Sequence, residues 1–435
     1  MPAQLLRLPG SGALLAVDAS PTSLASAIYL WLPRGAASER EDEQGLAHLL
    51  EHMLFKGAGG HGVSEAATRI EGMGGDLNAF TSYEQTVLHA TVPAGREAQA
   101  IALLCEMAFS PRLDPDELER EKGVVVEEIR GAADDPTDLL AERLRARLHR
   151  GHPYGRPILG TEATVRALTA EDMRRFHRAH HRPGQAMLVV AGPVDAAEIQ
   201  AAAAAAFDAA DPGEELAPPP RAQARPHYGA FVLRGFEERT VELAWAIPGL
   251  QHEDLAALDL LSSALGDGDS AVLSRRLRDE LGLAVDAWAA LESEPDRGVL
   301  VVGAHARPGQ TAACARVLME EVARVAREGL PVAALRRARR GILTSRIWER
   351  ETVDGRAARL AWYLASFGDA AEEQRYEARI QAVRAEDVRQ AAARWLRPEE
   401  VVAGAVVSGR ELSAAKLAEA ISLDPARPGA VPAPI

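Results

Sequence analysis

Two histidines and a glutamate stand close together in the segment HLLEH, as His48, Glu51 and His52. Apolar residues around them recur with helical spacing, which predicts a helix. Because residues four apart lie on one face of a helix, both imidazoles could bind one metal ion with Glu51 beside them. The pattern is the inverted form of the zinc-protease signature HExxH, with the acid next to the second histidine. It indicates metal-assisted hydrolysis.

A catalytic zinc site usually has three protein ligands and an open position for water, so a third ligand must lie elsewhere. The segment EREKGVVVEEIR is a predicted acidic helix in which Glu121 and Glu128 are seven residues, or about two turns, apart. Glu127 is also available, and spacing alone does not choose Glu128. Acidic helix faces are commonly just solvated, and histidines at i and i+4 also arise by chance.

A second histidine cluster, His177, His180 and His181 in FHRAHHRPG, also has helical spacing. No acidic partner is evident in this segment, and its arginines add positive charge that repels a cation. Basic residues at the C-terminus of a helix suit the helix dipole, so we interpret this cluster as structural. We interpret His149 and His152 in LHRGHPYG as loop and packing residues.

The composition is that of a globular protein with ordinary cores. The chain has 435 residues, of which 47% are hydrophobic and 26% charged, and this length predicts two domains of roughly 200 residues. The net charge of −14 argues against nucleic acid as a partner and favours a neutral or basic substrate. The two cysteines, Cys105 and Cys314, lie in apolar helical patterns, so no disulfide framework is indicated.

Neither a signal peptide nor a membrane segment is expected. The N-terminus MPAQLLRLPGSG breaks at proline and glycine before a long apolar region forms. No apolar run approaches the roughly 20 residues that span a bilayer. These observations predict a cytoplasmic location without membrane association.

An internal repeat organises the chain. The segment RALTAEDMRRFHRAHHRPGQAMLVVAG from Arg166 resembles QAVRAEDVRQAAARWLRPEEVVAGAVVSG from Gln381, in register at an offset of 215 residues. This offset is about half the chain and indicates a duplicated domain. Strands alternate with helices in both halves, which predicts an α+β fold of two similar domains, each a mainly antiparallel sheet packed against helices. The expected boundaries are a first domain at 1–211, a linker at 212–228, a second domain without a metal site at 229–422 and a mobile tail at 423–435.

Four motifs together carry a family resemblance: GLAHLLEHMLFKG, GGDLNAFTSYEQTVLHATV, EREKGVVVEEI and HPYGRPILGT. In order and spacing they resemble the pitrilysin and mitochondrial processing peptidase (insulinase-like) family, in its short two-domain bacterial-type branch, over nearly the whole chain. The resemblance implies a pair of α/β roll domains. It implies one Zn²⁺ per chain with a glutamate 76 residues after the second histidine as third ligand, which is Glu128. It also implies that Glu121 supports the catalytic site.

The resemblance implies a mechanism and a substrate site. Zinc lowers the pKa of its bound water to about 7, and Glu51 would accept the proton of that water and pass it to the leaving amine. The segment DLNAFTS resembles the edge strand to which a peptide substrate adds through backbone hydrogen bonds. Asn78, Ala79 and Phe80 are therefore the expected substrate-binding residues.

One position departs from the family pattern. Catalytically complete members carry an arginine and, seven residues later, a tyrosine that contact substrate at the other subunit's zinc. Here the arginine is Arg278, but the second position is Val285, which has no hydroxyl. The chain therefore resembles the metal-bearing subunit of a heterodimer whose paralogous partner supplies Arg and Tyr; a homodimer stays open, and Arg278 receives no site role.

Three functions remain open at this point. The favoured one is a zinc endopeptidase that cleaves peptides or unfolded polypeptides. The second is a noncatalytic assembly protein like the core subunits of respiratory complexes, which share the implied fold. The third is a small-molecule zinc hydrolase, which would act on esters but not on peptides. A scaffold has no physical need for a metal-ligand set, so the intact HLLEH segment favours an enzyme.

Overall fold

Two β-sheets carry the fold, one from each half of the chain. The computed structural model describes residues 3–210 and 221–422. The strands of the first sheet are β1 (Gln4–Arg7), β2 (Leu14–Ala19), β3 (Ala25–Leu32), β4 (Asp76–Thr81), β5 (Thr86–Pro93) and β6 (Met187–Gly192). Those of the second are β7 (Gly229–Arg234), β8 (Thr240–Pro248), β9 (Ala284–Ser293), β10 (Arg297–Ala306) and β11 (Val402–Val407).

Both sheets are mixed but mainly antiparallel. The first has the strand order β1-β2-β6-β3-β5-β4 and the second β7-β11-β8-β10-β9. Neighbouring strands are antiparallel except for the pairs β2–β6 and β7–β11, which are parallel. The prediction of an α+β fold with mainly antiparallel sheets is confirmed.

Helices pack against these sheets in both halves. In the first half they are α1 (Leu46–Leu54), α2 (Glu65–Gly72), α3 (Glu97–Phe109), α4 (Pro115–Asp134), α5 (Pro136–Leu148), α6 (Glu162–Ala167), α7 (Ala170–His180) and α8 (Ala196–Asp208). In the second they are α9 (Leu255–Gly266), α10 (Val272–Ser274), α11 (Thr311–Glu328), α12 (Val332–Glu349), α13 (Val353–Phe367), α14 (Glu372–Ala382), α15 (Ala385–Trp395) and α16 (Ala414–Ile421). A π-helix at Arg275–Glu280 continues α10.

The repeated segments occupy equivalent places in the two sheets. The helix α7 and the strand β6 recur as α15 and β11 with the same bounds at the 215-residue offset. Both strands are fully buried, and each lies between one parallel and one antiparallel neighbour. The second half therefore repeats the local topology of the first.

The compact units do not follow the contiguous boundaries expected from the repeat. One unit comprises Met1–Gly131, Arg156–Arg221 and Arg346–Glu372, and the other Ala132–Gly155, Ala222–Ser345 and Glu373–Ile435. The reason is the packing of two helices. In the first unit α13 buries Ala357, Ala361 and Leu364 against the first sheet, and in the second unit α5 buries Leu140 and Leu144 against the second sheet.

The expected linker and tail are described only in part. Residues 221–228 have no regular secondary structure, whereas 212–220 and the tail at 423–435 lie outside the described residues. None of the described helices combines the length and the apolarity that crossing a bilayer would require.

Candidate metal centre

The short helix α1 presents three polar side chains on one side and a buried apolar surface on the other. Its buried residues are Leu46, Ala47, Leu49, Leu50, Met53 and Leu54, which pack into the main core of the first unit. Burial of this surface leaves His48, Glu51 and His52 half-buried. Core packing of α1 therefore determines the direction in which the two imidazoles and the carboxylate project.

A buried carboxylate caps the start of α1. The Glu39 side chain accepts hydrogen bonds from the backbone N–H of Ala47 at 2.7 Å and of Gly45 at 3.1 Å. Gly45 has a φ of +92°, and a Cβ there would lie 2.6 Å from the carbonyl oxygen of Leu159, so only glycine fits. These contacts hold the first turn of α1, from which His48 projects.

The long helix α4 brings Glu128, the expected third ligand, close to α1. Its buried side includes Leu118, Val125 and Val126. On this helix, Glu128 places Oε2 at 3.6 Å from His52 Nε2 and 3.8 Å from His48 Nε2. Among the described residues, His48, His52 and Glu128 are the group whose ligand atoms all lie within 4.8 Å of one another. The cluster of His177, His180 and His181 does not form such a group.

The donor set fits a zinc ion. Two imidazole nitrogens and one carboxylate oxygen are a known catalytic zinc set, and bonds of about 2 Å to one tetrahedral ion place its ligands about 3.3 Å apart. The observed separations of 3.6 and 3.8 Å are close to that value. Burial, and then the charge of His52, lowers the pKa of His48 to about 4. His48 is therefore neutral at neutral pH and has a free lone pair for a metal.

Glu51 lies beside this group and is held by the first sheet. The Thr81 hydroxyl on β4 donates a hydrogen bond of 2.6 Å to Glu51 Oε2. Burial raises the pKa of Glu51, and the charge of Glu128 acts in the same direction, whereas the Thr81 hydrogen bond and His52 oppose the shift. The structure thus places the expected base next to both histidines and in contact with the strand expected to bind substrate.

Glu121 contacts the imidazole of His52 on the side away from Glu128. Its Oε2 lies 3.3 Å from His52 Nδ1, and its Oε1 lies 2.8 Å from Nζ of Lys56. Where Glu121 accepts a hydrogen bond from this nitrogen, Nδ1 carries the proton and Nε2 keeps its lone pair. In contrast, Nδ1 of His48 is buried and has no hydrogen-bond partner among the described residues.

The strand β4 is an edge of the first sheet, as expected. It pairs with β5 on one side, in a register that sets Asn78 opposite His89 and Phe80 opposite Val87. The backbone N–H of Ala79 donates to its neighbour's side-chain oxygen, Asn78 Oδ1, at 2.8 Å. Phe80 is 39% exposed. The three expected substrate-binding residues therefore lie on an edge strand that pairs on one side only within the described sheet, and its last residue, Thr81, contacts Glu51.

Arg278 and Val285 lie in the second unit. Arg278, on the π-helix, donates to Asp269 at 2.9 Å and to Asp279 at 2.8 Å. Val285, at the start of the edge strand β9, is 59% exposed. The arginine is therefore paired with two carboxylates of its own chain.

Sequence reasoning missed three residues that contact the site: Glu39, Lys56 and Thr81. Lys56 and Thr81 are part of the motifs that carry the family resemblance, as the last residues but one of GLAHLLEHMLFKG and DLNAFTS. Their positions inside these motifs could have indicated that they lie near the site. Nothing in the sequence around Glu39 indicates its role, because its hydrogen bonds to α1 depend on how the loop between Glu39 and α1 folds.

The sequence matches models of one peptidase family and a relative named a zinc protease. The sequence model described as insulinase (peptidase family M16) matches residues 14–162, and that of the peptidase M16 inactive domain matches residues 167–342. A Mycobacterium leprae protein named an uncharacterized zinc protease is 34% identical over 336 residues, which are 76% of this chain and 75% of the relative.

Two solved structures have the same fold. A protease from Helicobacter pylori aligns with a TM-score of 0.88 and 22% identity, over 93% of this chain and 99% of the other. A peptidase M16 inactive domain from Pseudomonas fluorescens aligns with a TM-score of 0.86 and 19% identity, over 94% and 98%. The two family models and the 34% identity to the Mycobacterium leprae protein show the family. The chain belongs to the insulinase family of peptidases, family M16.

Proposed function

We propose that this chain is a zinc-dependent endopeptidase that cleaves peptides or unfolded polypeptides and is the catalytic subunit of a heterodimer. The observation that carries the proposal is the convergence of His48, His52 and Glu128 beside Glu51. Relatives named zinc proteases support the same conclusion. A noncatalytic protein would not require these four residues to converge.

His48, His52 and Glu128 would hold the metal. When bound, zinc supplies a Lewis acid that polarises the scissile carbonyl and acidifies a coordinated water. Glu121 orients His52 through the imidazole Nδ1, and the buried apolar side of α1 fixes the helix that carries both histidines. Contacts within the chain thus support the residues that would hold the metal.

Glu51 would move the proton. It would take a proton from the attacking water and deliver it to the leaving amine, so that one carboxylate serves first as base and then as acid. The Thr81 hydroxyl holds Oε2 of this carboxylate. A peptide bond presented alongside β4 would therefore lie next to a fixed proton acceptor.

The strand β4 would bind the substrate backbone. An extended peptide can add to an unpaired strand edge through main-chain hydrogen bonds, which requires no particular side chain in the substrate. The N–H of Ala79 is bonded to Asn78 Oδ1, so substrate binding would exchange this local bond for one to the peptide. This mode of binding suits unfolded polypeptides, because a folded substrate has no free backbone to offer.

The partner is inferred from Val285, where a hydroxyl donor is missing. The exposed valine cannot hydrogen-bond to a substrate carbonyl, so a paralogous subunit would supply Arg and Tyr. A noncatalytic subunit is the second candidate, since the matches include a family description and a Pseudomonas fluorescens structure that are both named inactive domains.

One experiment separates these functions. Purified chain is reconstituted with zinc and incubated with an unfolded protein and with simple esters, alone and together with an Arg/Tyr-bearing homologue. Peptide-bond cleavage that a chelator stops and zinc restores supports the proposal. Cleavage of esters alone would instead indicate a small-molecule hydrolase, and no cleavage in any combination would indicate a noncatalytic subunit.

A further inference from the structure

Lys56 is a charged residue beside the metal centre, in contact with Glu121, and it has been given no role above. It directly follows Phe55, the residue that caps the C-terminus of α1, and its backbone N–H donates to the carbonyl of Met53 at 3.1 Å. Its ammonium lies 2.8 Å from Glu121 Oε1, and a quarter of its side chain is exposed. Lys56 therefore links the end of α1 to α4.

Glu121 has two oxygens with two different partners. Oε2 faces His52 Nδ1 at 3.3 Å, and Oε1 faces Lys56. The side chain of Glu121 is only 7% exposed, so water cannot replace a lost partner. A buried carboxylate without a counter-charge is costly, so without Lys56 the Glu121 side chain would leave its buried position. The contact with Lys56 thus governs whether Glu121 stays aligned with His52.

The two histidines differ in how they are held. Nδ1 of His52 faces Glu121 and Nε2 faces Glu128, so a hydrogen bond from Nδ1 to Glu121 leaves the lone pair on Nε2. His48 has no such partner at Nδ1 among the described residues. Within the donor set, the chain therefore orients only one imidazole through a hydrogen bond, and that bond depends on Glu121.

We propose that Lys56 is a positioning residue for the metal centre: by pairing with Glu121 Oε1 it keeps Oε2 on His52 Nδ1 and thereby presents His52 Nε2 to the metal. The inference rests on the proposed function, since it assumes that His52 binds zinc. It differs from a surface ion pair, because Glu121 is buried and its second oxygen touches a ligand.

The test uses three variants of the full chain. Lys56→Met removes the charge and keeps much of the length, Lys56→Arg keeps the charge, and Lys122→Met is the matched control. Lys122 lies next to Glu121 on α4 but pairs with Glu119 at 2.6 Å. Thermal unfolding followed by circular dichroism confirms that each variant folds.

The first readout is zinc affinity, measured by competition with a chromophoric chelator. Lys56→Met should bind zinc about 10–100-fold more weakly than the wild type, the usual cost of losing a residue that orients a ligand. Lys56→Arg should stay within about threefold of the wild type, as should Lys122→Met. In a Glu121→Gln background, Lys56→Met should cause no further loss, because its effect passes through Glu121. Equal zinc affinity of Lys56→Met and the wild type would overturn the proposal. So would a double variant whose loss of zinc affinity equals the sum of the losses caused by Lys56→Met and Glu121→Gln alone.

The second readout does not need zinc. Nitrogen-15 NMR of histidine-labelled, zinc-free protein reports which ring nitrogen of His52 carries the proton. The wild type should show the Nδ1–H form, and Lys56→Met should shift His52 toward a mixture. If the wild type bound no zinc, the proposed function would fail, but this measurement would still decide the role of Lys56. An unchanged His52 signal in Lys56→Met would overturn that role.

Discussion

The hydroxyl of Thr81 donates a hydrogen bond of 2.6 Å to the carboxylate of Glu51. The two residues belong to different elements, since Thr81 ends the edge strand β4 and Glu51 lies on α1. This bond joins the strand proposed to bind substrate to the residue proposed to move the proton. A peptide that adds to β4 would therefore be aligned with Glu51 by a contact within the first unit.

Thr81→Val should lower peptide turnover by about 10–150-fold and leave zinc content unchanged, because a hydrogen bond to a charged group contributes about 1.5–3 kcal/mol. Thr81→Ser should restore most of the rate, since it returns the hydroxyl. Turnover of one peptide and elemental analysis are measured on both variants. Equal turnover of Thr81→Val and wild type would show that the bond does not orient Glu51.

Replacing any one of His48, His52 and Glu128 by alanine should reduce zinc from about one per chain toward zero, because two protein ligands remain where a catalytic site needs three. Glu127→Ala is the matched control on α4, since Glu127 is exposed and pairs with Arg130. Elemental analysis after dialysis decides the outcome. Retention of zinc in Glu128→Ala would mean that the third ligand is assigned wrongly.

His149 predicts a pH dependence of stability in the second unit. Burial, followed by the charges of Arg145, Arg297 and His152, lowers the pKa of His149 from 6.5 to about 3. The folded state thus binds fewer protons than the unfolded chain below pH 6.5. The contribution of neutral His149 to the free energy of unfolding is fully present above pH 6.5. It is lost as the pH falls toward 3, at about 1.4 kcal/mol per pH unit.

His149→Gln should therefore lose less unfolding free energy than the wild type between pH 6.5 and 5, by about 2 kcal/mol. Urea unfolding followed by circular dichroism at the two pH values measures this difference. His227→Gln, at an exposed histidine, is the control and should match the wild type. If His149→Gln has the same pH dependence as the wild type, His149 does not titrate as its burial requires.

The chain alone should hydrolyse peptides poorly, and an Arg/Tyr-bearing homologue should raise the rate by about 10–1,000-fold, by analogy with other lost transition-state donors. The motivation is Val285, which offers no hydroxyl. Initial rates at rising homologue concentration measure the effect. Full activity of the lone wild type with no gain from the homologue would refute the heterodimer, and rescue by Val285→Tyr alone would favour a homodimer.

Different parts of this structure follow from the sequence to different degrees. The spacing of His48 and His52 is enough to place them on one helix face, and the 215-residue offset predicted the equivalence of β6 and β11. The place of Glu128 could not follow from spacing, because it depends on how α4 packs against α1. The family resemblance supplied it, and the structure brings Glu128 to both histidines.

Long-range packing explains what the sequence did not reveal. Tyr29 donates to Asp354 at 2.9 Å, and Arg356 pairs with Asp18 at 2.7 Å, across more than 300 residues of chain. These contacts and the apolar face of α13 place a late segment in the first unit. An amphipathic helix carries no local signal of which sheet it will cover, so contiguous halves were the natural expectation.

Glu51→Gln is the sharpest test of whether Glu51 accepts the proton of the zinc-bound water. Glutamine has nearly the shape of glutamate but cannot accept that proton at neutral pH. Zinc content and cleavage of an unfolded polypeptide are measured on the same preparation, beside the wild type and with the homologue present. Glu51→Gln should keep about one zinc per chain and lose turnover by at least about a hundredfold. Turnover within about tenfold of the wild type, with zinc bound, would contradict the account, because proton transfer would then not pass through Glu51.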